Sequence, residues 1–155
     1  MKNFKFLFLT VVLLLVFTGC EKKSPTEVRK VHWDRDMCER CKMVVSDRQH
    51  AVQVINTQNS KSYMYDDIGC VVLWFKEEQI AWANRAKIWI TDTKTGKWID
   101  ARTAHYDTHN ITPMAYGFSA HKEKSSIKAG DEMIGFEEVT KRIFEIEANK
   151  NRKAY

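Results

Sequence analysis

Val52-Gln53-Val54-Ile55-Asn56-Thr57-Gln58-Asn59-Ser60-Lys61-Ser62-Tyr63-Met64-Tyr65-Asp66-Asp67-Ile68 is the stretch from which the architecture can be read. Apolar residues alternate through Ala51–Ile55, which predicts a strand from about His50 to Thr57. Asn56 to Ser60 has turn chemistry, because short polar side chains bond their own backbone there. Lys61 to Tyr65 then alternates with Tyr63 and Tyr65 on one face, so the pair reads as a hairpin. Asp66 or Asp67 is placed to cap a helix by accepting its orphan N–H groups. Downstream, Ile68, Val71, Val72, Phe75 and Trp82 fall on one helical stripe, with Asn84 as the stop.

Working outward, Ile88-Trp89-Ile90 is β-branched and aromatic and predicts a third strand. Lys94-Thr95-Gly96-Lys97 turns into a short strand at Trp98-Ile99. The first half is therefore strand, strand, helix, strand, and the fold class is α+β. On the N-terminal side, Val31 to Lys42 lacks periodicity and reads as an irregular entry loop. On the C-terminal side, Ala101 to Tyr116 reads as a long polar loop, of the kind that often carries function. Gly117 to His121 reads as a strand. Phe136, Val139, Ile143 and Ile146 have helical spacing, and the second half echoes the first in abbreviated form.

The N-terminus has an export pattern. Lys2 and Lys5 precede an apolar run from Phe6 to Phe17, too short for a transmembrane helix of roughly 20 residues. Thr18-Gly19-Cys20 follows, a lipobox-like ending in which Cys20 is lipidated and residues 1–19 are removed as a lipoprotein signal peptide. Residues 20–30 form the lipidated cysteine and its tether, and 31–155 the domain, in halves of about 31–95 and 96–155. The expected location is the cell envelope, lipid-anchored on the extracytoplasmic side of an inner or outer membrane. Loss of the two leader lysines lowers the formal net charge from +5 to +3. Such mild basicity, without a basic stripe among aromatics, excludes nucleic acid as a partner.

Of the 4 cysteines, assigning Cys20 to lipid leaves Cys38, Cys41 and Cys70, an odd number in an oxidising compartment. Cys38-Glu39-Arg40-Cys41-Lys42-Met43 concentrates sulfur donors, and thiolate with thioether favours Cu(I) over zinc. In an extended segment Cys41 and Met43 point to one side, with Cys38 reaching from the preceding turn. Cys-x-x-Cys alone is equally a redox pair, a disulfide or half a zinc site, although the second pair required for a four-sulfur zinc site is absent. No catalytic triad, phosphate loop or paired-carboxylate site is recognisable, so the chain reads as a carrier and not an enzyme. The alternative of another class is a thiol–disulfide oxidoreductase using Cys38 and Cys41.

Cys38-x-x-Cys41-x-Met43, then Tyr65-Asp66-Asp67-Ile68-Gly69-Cys70, then Thr112-Pro113-Met114-Ala115-Tyr116-Gly117, together resemble the NosL family of nitrous-oxide-reductase accessory lipoproteins. The resemblance spans roughly Asp36 to His121. It implies two related strand-strand-helix-strand halves. It also implies a Cu(I) chaperone that works with a membrane transporter assembly and a copper-enzyme client, nitrous oxide reductase, in denitrification. Carried over by position, the implied ligands are Cys41 and Met43, then Cys38 and Met114. Lys42 and Ala115 depart from the pattern, each standing where the family usually has glycine.

Further sulfur and imidazole donors differ in their surroundings. Cys70, in the apolar stripe, is favoured as core over ligand. Met64 alternates with two tyrosines and is open between core and ligand. His121, ending a predicted strand near Pro113-Met114, is the best imidazole candidate, whereas His32 and His50 read as surface. The tryptophans read as core.

Overall fold

The computed structural model describes residues 24–153. The predicted leader, Cys20 and the first residues of the tether lie outside them. The order is β1 (Val52–Ile55), β2 (Ser62–Tyr65), α1 (Ile68–Glu77), a 3-10 turn (Ala83–Arg85), β3 (Lys87–Thr91), β4 (Trp98–Asp100), β5 (His105–Asp107), β6 (Ser119–His121), a second 3-10 turn (Lys124–Ser126) and α2 (Phe136–Lys153). β2-β1-β3-β4 form an antiparallel sheet, and β5-β6 a separate two-stranded ladder. The expected α+β class holds. No helix of the described residues is long and apolar enough to cross a membrane.

The register puts Val54 opposite Tyr63 and Ile88, and Val52 opposite Tyr65 and Ile90. That row faces α1, where Trp74 meets the rings of both Tyr63 and Tyr65. Ile88, Ile90, Ile68 and Val71 are at most 1% exposed; each such side chain contributes about 1.5–3 kcal/mol by leaving water. β1 is buried on its second face as well. The chain entering the domain crosses it, with Arg29 N–H donating to Gln53 Oε1 at 2.6 Å and Gln53 Nε2 returning a bond to the Arg29 carbonyl.

α1 begins as read. Asp67 is its N-cap and accepts from Gly69 N–H at 2.9 Å. It ends earlier than the apolar stripe suggested, at Glu77. Gln79 takes a left-handed φ of 49°, and Ile80 N–H reaches back to the Phe75 carbonyl at 3.0 Å, a Schellman ending. Trp82 is therefore not on the helix. The chain doubles back and lays it against Trp74 and Phe75 from outside.

The stretch from Ala101 to Tyr116 is not all loop, because β5 lies within it. Only Tyr106 of β5 is buried, so three residues gave too little alternation to register. β5 pairs with β6, and Tyr106 also bridges Ile134. The second half thus runs strand, strand, helix, with its third strand reduced to one bridge ahead of α2. Val139 and Ile143 bury one face of α2, which packs against α1 and β5. The division at 95/96 falls in the turn between β3 and β4, and β4 joins the first sheet.

Candidate metal centre

Residues 36–45 fold into a tight turn on the edge of the first sheet. Met37 and Val44 form an antiparallel bridge, Val45 N–H donates to the Asp36 carbonyl at 2.8 Å, and Cys38 N–H donates to the Met43 carbonyl at 2.8 Å. Lys42 N–H closes the tip onto the Cys38 carbonyl, with Lys42 itself left-handed at φ 58°. Glu39 N–H fastens the turn to the Met64 carbonyl of β2. Arg40, between the two cysteines, makes a bidentate pair with Glu77 of α1 at 2.8 Å and reaches Glu147 of α2 at 3.4 Å. The hydrogen bond to Glu77 raises the guanidinium's pKa, and burial opposes the rise.

This anchoring presses the tip against the first turn of α1. The sulfur atoms of Cys38, Cys41 and Cys70 all lie within 4.8 Å of one another, and no disulfide joins them. Cys38 and Cys70 are fully buried and Cys41 is half-buried. Cys70 is thus both core and cluster member. The sequence favours the first role over the second, because a lone cysteine in an apolar helix stripe looks like packing. The odd number of thiols was the available signal.

The three thiols are not equivalent. Cys38 is lowered to about 5, chiefly because Cys70 donates to its sulfur, with burial opposing and backbone hydrogen bonds from Cys41 and Asp66 assisting. Cys70, the donor in that bond, is pushed up, and its burial adds to the effect. Cys41 is raised mainly by burial. The result is one thiolate held between two thiols. Next to it, Asp66 is raised by burial and by the Cys38 charge, and its Oδ1 has no partner among the described residues.

The later motif meets the same helix end. Asp67 Oδ2 accepts from Thr112 Oγ1 at 2.6 Å and from Met114 N–H at 3.2 Å. Burial raises Asp67, and these bonds oppose the rise. Tyr116 lies directly on Gly69, where a Cβ would come 2.1 Å from its ring. Its hydroxyl donates to Glu147, the carboxylate that also receives Arg40. Met114 is half-buried on the core and its carbonyl accepts from Lys150. Ala115, like Lys42, is left-handed, at φ 57°. Both departures from the glycine pattern therefore fall where the backbone favours glycine.

Other expected donors lie differently. Met43 is 49% exposed, and the left-handed Lys42 before it removes the extended geometry that aimed Cys41 and Met43 to one side. Met64 is half-buried, its sulfur accepting from Gln53 Nε2. His121 stands outside the sulfur cluster, opposite His105 in the second sheet and bonded to Asp107 Oδ2 at 3.1 Å. His50 is not at the surface. It is buried, with Nδ1 hydrogen-bonded to Asp47 Oδ2 at 2.9 Å and Nε2 to Ser119 Oγ at 3.0 Å.

Three sulfurs at this separation, two of them dry, suit a thiophilic metal in two- or three-coordinate geometry. No protein-family model matches the sequence, and no curated protein matches it. The structure is similar to the crystal structure of the copper chaperone NosL from Shewanella denitrificans. The TM-score is 0.55 at 12% identity, over 74% of this chain and 96% of that one. What the two share at that identity is the fold.

Proposed function

We propose that this chain is a Cu(I) carrier, anchored by lipid at Cys20 to the extracytoplasmic side of a membrane. Its copper passes, with a membrane transporter assembly, to a copper-enzyme client, nitrous oxide reductase. The observation that carries the reading is the convergence of Cys38, Cys41 and Cys70 within 4.8 Å, in a fold like that of a copper chaperone. Cys38 supplies a thiolate before the ion arrives, and binding displaces protons from Cys41 and Cys70. Cys38 and Cys70 are closed off from water, whereas Cys41 is half-buried and Met43 exposed. A partner's sulfur joins the ion beside them, and Cys41 leaves first. Met43 and Met114 are donors available during that exchange, and the client rests on the motif pattern quoted above.

The lowered Cys38 thiol is also what a thiol–disulfide oxidoreductase requires. Its placement argues against that role. An attacking thiolate must be both ionised and accessible, but here the ionised sulfur is the buried one, and the half-exposed Cys41 is raised. Anaerobic Cu(I) titration against a competing chelator tests the proposal, with Cys70→Ser, Cys41→Ser and Met43→Ala alongside. One tight equivalent, weakened by at least tenfold in both cysteine variants, is expected. Equal binding by parent and Cys70→Ser, or none in the reduced parent, would overturn it.

A further inference from the structure

Three of the five tryptophans are not in the core between sheet and helices. Trp89 and Trp98 share the face of the first sheet turned away from α1, because their rows contain Gln53 and Thr91 while Ile88 and Ile90 point to the helix. Trp33 stacks on Trp98 at 6.5 Å. All three are only half-buried. Lys87 lies over the Trp89 ring at 4.3 Å and Arg48 over Trp33 at 5.6 Å. A groove of about 490 Å³ runs between Trp89 and Trp98, rimmed by the exposed Lys97 and Lys122. Acidic groups on this side include Asp100, paired with Lys87 at 2.5 Å, Asp34, 4.0 Å from Arg48, the buried Asp92, which accepts from Lys122 N–H, and the exposed Glu27 beside Thr26.

The N-terminal segment leaves the domain across this same face. Trp89 Nε1–H donates to the Thr26 carbonyl at 2.8 Å. Cys20 is six residues upstream of Thr26, a reach of at most about 20 Å of extended chain, and Lys22 and Lys23 lie between them. An anchor at Cys20 therefore tethers this side of the molecule to the bilayer. Half-exposed tryptophans rimmed by lysine and arginine match the zone between water and acyl chains. There the indole body is apolar, its N–H stays satisfied, and cationic side chains reach anionic headgroups.

We infer that the outer face of the first sheet, carrying Trp33, Trp89 and Trp98 with Lys97 and Lys122, lies on an anionic lipid surface. The inference rests on the anchor proposed above and adds the orientation that the anchor alone leaves free. Membrane attachment then holds the domain flat, with α1 and its cysteine on the side of the sheet away from lipid.

The full chain, reconstituted into vesicles of zwitterionic lipid with or without phosphatidylglycerol, tests this by flotation and by tryptophan quenching with brominated lipid. Strong quenching in the anionic vesicles is expected. Trp33→Phe/Trp89→Phe/Trp98→Phe should abolish it, and Lys97→Glu/Lys122→Glu, which leaves the rings in place, should greatly reduce it while the protein still floats. Flotation without quenching overturns the inference and leaves the anchor standing. No flotation in either vesicle overturns both. Tryptophan emission that responds to a soluble glycan polymer and not to brominated lipid assigns the groove to sugar and likewise overturns it.

Discussion

Gly69 and the ring of Tyr116 touch so closely that a single carbon on residue 69 would sit 2.1 Å from the ring. Residue 69 precedes the cluster cysteine Cys70, and Tyr116 follows the Thr112–Met114 segment held by Asp67. Gly69→Ala is expected to push Tyr116 off the helix end, at a cost of about 1–3 kcal/mol, and to weaken copper binding. Urea denaturation measures the first effect and chelator competition the second. Unchanged values in both would mean the contact has no structural role.

Lys42 and Ala115 are left-handed at φ 58° and 57°. A side chain in that conformation is disfavoured by roughly 1–2 kcal/mol, partly offset by glycine's greater freedom when unfolded. Lys42→Gly and Ala115→Gly should each stabilise the chain by about 0.5–1 kcal/mol, read as a higher denaturation midpoint. A lower midpoint for either would show that its native side chain makes contacts that outweigh the strain.

Cys38 is lowered from 9.0 to about 5, so between those values the unfolded chain binds one more proton than the folded one. Its contribution to stability is complete above pH 9 and is lost as pH falls to 5. Above pH 9 the raised Cys41 and Cys70 act in the opposite sense. Thiolate absorbance of the reduced, metal-free protein should therefore rise by one group near pH 5. Cys70→Ala, which removes the main hydrogen bond, should move that step upward. A first step near the ordinary thiol value in the parent would contradict the assignment.

Arg40 joins the cysteine turn to α1 and α2 through Glu77 and Glu147. The pair is partly exposed, so Arg40→Ala should cost at most about 1 kcal/mol of stability. The loosened tip should nevertheless release copper faster to a competing chelator in stopped-flow exchange. An unchanged release rate would show that the turn is held by its backbone bonds alone.

The hairpin at Val52–Tyr65 and the cap at Asp67 were legible because alternation and capping are local. The end of α1 was not. Its left-handed residue is Gln79, with none of the glycine signal that usually marks such a stop, and Trp82 completed the apolar spacing by coincidence. The cluster was half legible. Cys38 and Cys41 are neighbours in sequence, but Cys70 joins them through tertiary contacts, among them the Arg40 ion pairs, the bond from Glu39 to Met64 and the Asp66 backbone bond to Cys38, which no spacing rule contains. His50 was misread as surface because its partners, Asp47 and Ser119, belong to different halves. The tryptophans were misread as uniformly core because pattern alone does not say which face of a sheet a helix covers.

Two of the clustered sulfurs belong to the turn and the third to α1, so an ion held by all three also acts as a removable cross-link between residues 38 and 70. Closing a loop of that size takes from the unfolded chain about 3–4 kcal/mol of entropy, if the metal behaves as a covalent bridge would. On the carrier reading, the protein then records its own cargo in its lifetime. The loaded form resists opening and proteolysis, and the emptied form, having delivered, is the one first exposed to degradation. Limited proteolysis of the two forms would reveal the difference as cleavage in residues 36–45 that copper suppresses.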